Sequence, residues 1–131
     1  MKKLLLLLVL LIGMAMPSLA QEDDPNDLWY VTTYLNTDTG SGWTGWTETE
    51  CQVKFNLEKK HIVVFSDVQQ IFDFVSSEVN RYDWGTKLSM YCTDTKYVTC
   101  YVELFVYKKG YDYLKITYSD ITYKYQIEPL E

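Results

Sequence analysis

Three cysteines, one histidine and two closely spaced glutamates are the residues here best able to form covalent bonds or move protons. A cysteine nucleophile needs a base within reach and a carboxylate to orient that base. Cys51 has only Lys54 near it in sequence, and the single histidine, His61, starts the opposite arm of an expected hairpin. Glu48 and Glu50 share a face if the segment is a strand. Paired carboxylates cleave glycosides when they stand about 5–9 Å apart and one stays protonated, but nothing around this pair marks a cleft. Asn36-x-Asp38-x-Gly40 has the alternating oxygens of a calcium loop. Its twelfth position is Thr47, where a bidentate Glu is required, and Asn, Asp and Gly are also ordinary turn formers. One histidine without a Cys-x-x-Cys pair builds no zinc site. No catalytic residue, metal site or cofactor is therefore expected, and the protein reads as a non-enzyme.

The cysteines have a second use. Leu88, Met90 and Cys92 share one face of a strand, and Val98, Cys100, Val102, Leu104 and Val106 share one face of the next. A turn centred on Lys96 sets Cys92 opposite Cys100. A non-hydrogen-bonded pair at that position is close enough to bridge, so a Cys92–Cys100 disulfide is expected, with Cys51 a buried free thiol.

Aromatic residues are the strongest functional signal. There are twelve Tyr, four Trp and five Phe in 131 residues, enough to furnish more than one core. With Val98–Val106 facing inward, Tyr97, Tyr101, Phe105 and Tyr107 face outward with Glu103 among them. Tyr111 and Tyr113 share a face with Lys115, and Trp43 and Trp46 sit in or beside a Gly-rich loop. Such rings give large contact area and polar tips. These eight residues are the candidate ligand contacts.

The chain begins Met1-Lys2-Lys3, continues with an apolar run from Leu4 to Ile12, and closes it with Pro17-Ser18-Leu19-Ala20. This is the pattern of a secretory signal peptide over 1–20, cut after Ala20. The apolar run is too short for a transmembrane helix, and no cysteine follows the cut to carry a lipid. A secreted or periplasmic protein is expected, of bacterial type, with no membrane span after cleavage. Loss of Lys2 and Lys3 takes the basic residues from 12 to 10 against 18 acidic ones, so the net charge moves from −6 to −8. That balance argues against nucleic acid, which needs a basic footprint, and against anionic lipid heads.

The elements that must position these residues are strands. Residues 21–27 read as an acidic leader and 28–131 as one β domain. Leu28–Leu35 is a first strand, 36–45 a turn cluster, and 51–66 a hairpin with period-two alternation. Residues 69–75 read as a strand, with a short helix near 67–82 as the alternative. Four further runs, 87–93, 97–107, 111–118 and 121–127, are joined by short turns and so pair antiparallel. Seven or eight short strands predict a meander curling into a barrel or half-barrel, with a β-sandwich as runner-up.

Trp29, the GW-x-x-W of Trp43 and Trp46, and the terminal run Ile116–Tyr123 resemble, as a pattern, small secreted bacterial β-barrel proteins of lipocalin-like (calycin-like) shape. The lipocalin G-x-W signature is absent, since Gly42 and Trp43 are adjacent. The resemblance therefore implies a barrel and transfers no ligand or site residue. The functional expectation is a secreted binding protein presenting aromatic side chains to a small molecule, a glycan or a protein. A protease inhibitor using loop 36–45 is one alternative. A small hydrolase using Glu48/Glu50 or Cys51/His61 is another.

Overall fold

A computed structural model describes residues 25–130. The expected signal peptide and residues 21–24 of the leader lie outside the described residues. The described residues form nine strands: β1 Asp27–Asp38, β2 Thr47–Glu48, β3 Gln52–Asn56, β4 His61–Phe65, β5 Gln69–Tyr82, β6 Gly85–Thr93, β7 Thr99–Tyr107, β8 Asp112–Thr117 and β9 Thr122–Pro129. From β3 onward each strand pairs antiparallel with the next, and β1 pairs with both β3 and β9. β1 and β3–β9 thus close an eight-stranded barrel, with β2 as a two-residue addition on β1. The barrel expectation holds. The sandwich does not, because β1 pairs with β9 from Tyr30 to Asp38 and leaves no break between two sheets. Residues 69–82 are strand throughout, as their β-branched and aromatic content favours.

Alternation makes the core. Val53, Phe55, Ile62, Val64, Phe72, Met90, Val102, Leu114, Ile116 and Ile127 point inward and are all but inaccessible. Registers pair them across the sheet: Val53 with Val64, Phe55 with Ile62, Met90 with Val102, Leu114 with Tyr125. A small eight-stranded barrel is filled by side chains in this way. Its two irregularities lie between Thr32 and Tyr34 and between Phe74 and Ser77. The first keeps Thr32 buried while Leu35, an odd number of residues further on, still packs on the core. Thr32 is satisfied there, since its Oγ1 accepts from the Cys51 N–H at 2.8 Å and its own N–H donates to the Cys51 carbonyl at 2.7 Å.

Cys92 stands directly opposite Cys100, as the strand parity requires. The bond is nevertheless not formed: both cysteines are free thiols. The turn explains this. The Asp94 N–H donates to the Val98 carbonyl, which makes 94/98 a hydrogen-bonded pair. Two residues on, 92/100 is then also of the hydrogen-bonded kind, not the non-hydrogen-bonded kind. Opposed Cβ atoms there stand at the wide end of about 4.5–5.5 Å, beyond the roughly 3.5–4.5 Å a disulfide takes. Burial pushes the Cys92 thiol up to about 12 and the Cys100 thiol to about 11. Cys51 is a half-buried free thiol.

Candidate ligand-binding face

The outer surface of β6–β9 carries the residues that alternate with the core. Reading across the strands, Lys87, Phe105, Tyr113, Gln126 and Tyr34 form one row. Ser89, Glu103, Lys115, Lys124 and Asn36 form the next. Tyr91 and Tyr101 follow, with rings 4.8 Å apart. The turn between β5 and β6 adds Trp84, and the loop before β2 adds Trp46.

These residues make a continuous chain of ring contacts. Trp46 lies 5.9 Å from Tyr113, Tyr113 5.9 Å from Tyr107, and Tyr107 4.8 Å from Trp84. Trp84 stacks on Tyr82 at 4.9 Å and meets Phe105 at 6.2 Å. All six rings keep part of their surface open, Trp46 45% and Tyr82 42% of it. Gly85 makes the arrangement possible. Its φ of +152° is unfavourable for an L residue, and an added Cβ would meet the Val106 carbonyl oxygen at 2.1 Å. Only glycine lets the turn press Trp84 onto Tyr107.

Charge is interleaved with the rings. Lys124 Nζ sits 4.7 Å above the Tyr113 ring, and Lys87 pairs with Glu103 at 3.7 Å. Lys115 and Lys124 are direct cross-strand partners. Burial, and then the neighbouring Lys115, holds the Lys124 ammonium below its ordinary value. The buried Ser89 hydroxyl, opposite Glu103, has no hydrogen-bond partner.

The row containing Gln126 and Tyr34 runs into a groove of about 720 Å³ beside β1 and the β2–β3 connection. Val31, Thr33, Tyr34, Glu48, Thr49, Glu50, Tyr111, Gln126 and Glu128 line it. A second hollow, about 510 Å³, lies at the barrel end where the 66–68, 94–98 and 118–121 connections meet. Val68, Phe72, Val98, Tyr118, Tyr123 and Tyr125 are among its walls. Its polar residues include Asp94, which accepts from the Lys96 N–H, the Val98 N–H and the Tyr118 hydroxyl, each at 2.9 Å. Burial works to raise the Asp94 pKa, but these bonds outweigh it and hold the carboxylate below its usual range. Burial and the adjacent Asp94 drive the Tyr118 phenol well up.

Of the eight sequence candidates, the structure links Trp46, Phe105, Tyr107 and Tyr113 in one chain of rings. Tyr101 shares the outer face but pairs with Tyr91. Tyr111 is exposed just before β8, in the groove. Trp43 bridges to Asp38 in the loop, and Tyr97 stands in the β6–β7 turn at φ +64°, 88% exposed; no ring contact joins either to the chain. Tyr82 and Trp84 lie outside the eight candidates, because strand parity does not reach residues at the β5–β6 turn. An aromatic beside a turn glycine was the available signal.

Cys51 and His61 are not brought together, whereas Glu48 and Glu50 both line the groove. His61 pairs with Asn56 at the far end of the β3–β4 hairpin from Cys51. Asp38 Oδ1 accepts from the N–H groups of Gly40 and Gly42, and Asn36 Oδ1 from that of Gly45, so these oxygens cap the loop. No helix of the described residues is long and apolar enough to cross a membrane.

Fold and face together define a closed, side-chain-filled, eight-stranded antiparallel barrel with an aromatic outer surface. No family model, curated protein or solved structure matches the chain.

Proposed function

We propose that the chain is a non-enzymatic, exported binding protein whose contact surface is the aromatic outer face of the barrel. The observation that carries this reading is the continuous chain of six partly open rings from Trp46 to Tyr82. Rings spent on the core would be inside, and the inside is already filled. Exposed aromatic patches of this extent mark contact sites. The lipocalin-like resemblance belongs to the same proposal, supported by the eight-stranded closure. Loop 36–45 suits an inhibitor less well. Its caps fold it back on itself, and Trp46 at its end leans on Tyr113.

A second reading places a small apolar ligand in the hollow at the barrel end, favoured by the exposed rim residues Val68 and Val98. Tryptophan fluorescence separates the two. Titration with a soluble oligosaccharide, a fatty acid and a peptide is expected to give a response that Tyr107→Ala weakens at least tenfold and Val98→Asp leaves alone. The reverse pattern moves the site to the barrel end and refutes the face.

A further inference from the structure

We infer that the occupant of this face is an uncharged saccharide chain. It would lie across β9, β8 and β7 with one end in the groove beside Tyr111. This rests on the face being the contact surface, and adds the ligand class. Charge complementarity selects the class. The groove end offers the carboxylates of Glu48, Glu50 and Glu128, while the middle of the face offers Lys115 and Lys124. A polyanion would be repelled at the first and a polycation at the second. Hydroxyl groups both donate and accept, so a chain of them satisfies acceptors and donors in alternation. Gln126, Thr33 and Thr49 add neutral partners of both kinds.

The shape agrees. Ring contacts step across neighbouring strands, from Tyr113 on β8, edge-on to Tyr107 on β7, to Trp84, tilted against Tyr107 from the turn just before β6. Neighbouring strands are about 4.8 Å apart, roughly the length of one pyranose ring. Sugar C–H faces stack on such rings, and their hydroxyl edges reach the polar groups between them. The groove lies open along the outer surface of β1 and β9 rather than inside the barrel, which admits the end of a polymer.

The test is native affinity electrophoresis of residues 21–131 in gels containing a soluble glucan, a galactomannan, a xylan, polygalacturonate or chitosan. At least one of the three uncharged chains is expected to retard the protein. The retardation should be unchanged between low and moderate salt. Tyr111→Ala should weaken it at least tenfold and Tyr111→Phe should restore it. Tyr111 is exposed and outside the core, so neither change threatens folding, and circular dichroism confirms it. No retardation by any uncharged chain overturns the inference, as does retardation only by polygalacturonate or chitosan that salt abolishes. If the saccharides fail while Tyr107→Ala still abolishes binding of the peptide or fatty acid, the ligand class alone is wrong. If Tyr107→Ala changes nothing, the face itself is wrong.

Discussion

Gly85→Ala is the sharpest test of how the aromatic face is built. Two costs add at this position. The φ of +152° is a region L residues avoid, and holding one there costs about 1–3 kcal/mol. The new Cβ would also stand 2.1 Å from the Val106 carbonyl oxygen and 3.0 Å from the Tyr107 Cα. Both are backbone atoms of the paired strand, so relief means opening the Gly85–Tyr107 end of the ladder, and overpacking of this kind costs about 1–3 kcal/mol more. The expected loss is about 2–6 kcal/mol. At roughly 4 °C per kcal/mol for a domain near 100 residues, that is a fall in Tm of 8 °C or more. Gly110→Ala is the control. Its φ is +95° but nothing lies within 4 Å of its Cβ, so only the backbone term acts there, about 1–2 kcal/mol. Urea unfolding followed by far-ultraviolet circular dichroism measures both. Near-ultraviolet dichroism should report Trp84 leaving Tyr107 in the Gly85 variant alone. Equal losses for the two glycines, or a Gly85→Ala loss under about 1 kcal/mol, would refute the close approach.

Further outcomes follow from the same structure. Phe72→Ala removes a ring that is 1% exposed at the centre of the filled barrel and should cost about 3–5 kcal/mol in urea unfolding. Iodoacetamide at pH 8 should label Cys51 in the native protein. Cys92 and Cys100, with thiols near 12 and 11, should react only once urea unfolds the chain, as peptide mass spectrometry will show. Burial raises the Asp112 pKa, only partly opposed by the Tyr107 N–H at 3.1 Å. Its charged form is therefore penalised in the fold. Asp112→Asn keeps the acceptor, so it should melt above wild type at pH 7, with the gain shrinking as pH falls below the raised folded value and gone by the ordinary carboxylate value of about 3.9. Asp94 has the opposite sign. Its folded pKa is lowered, so its contribution is present above the ordinary value and lost as pH falls towards the folded one. Asp94→Ala should cost about 1–2 kcal/mol at neutral pH and less in strong acid, where the protonated carboxyl accepts these hydrogen bonds more weakly, measured by thermal melts.

The fold was legible wherever alternation was clean. Val53 and Phe55, and then Met90, Cys92, Cys100 and Val102, announced their inward face by period two, and the turn at Lys96 fixed their register. Segment 67–82 was legible in part: 69–75 read as strand, as it is, but a helix stayed open because Val68, Ile71, Phe72, Val75 and Val79 also fit a helical period. The irregularity between Phe74 and Ser77 is what breaks the strand alternation there. The disulfide fell between the two levels. Parity set which cysteines meet, but not the hydrogen-bonding class of their pair, which depends on the Asp94–Val98 bond in the turn. The outer rings of β7 and β8 followed from the same parity. Trp84 and Tyr82 did not, since their placement depends on a glycine φ and on the β5–β6 turn folding over Tyr107.

Where such a barrel can bind follows from how it is filled. Eight strands leave an interior that side chains just occupy, and here Phe55, Phe72, Met90, Leu114 and Ile127 occupy it with almost no exposure. A chain with 21 aromatic residues cannot bury them all inside so narrow a barrel. Part of the surplus, Trp29 and Phe65, stacks on the outer side of β1 and β4, and a larger part gathers on the outer face of β6–β9, where rings rest on other rings or beneath a lysine. Scattered rings would serve solubility better. Holding Trp84 in place also commits the chain to a glycine at position 85 in a backbone conformation other residues resist. Strain of this kind persists where the surrounding structure over-determines it, and it gathers at sites of function. The ring chain, the strained turn that holds it and the groove at its far end lie on one surface, and together they support the proposal that the barrel's contact face is its outside.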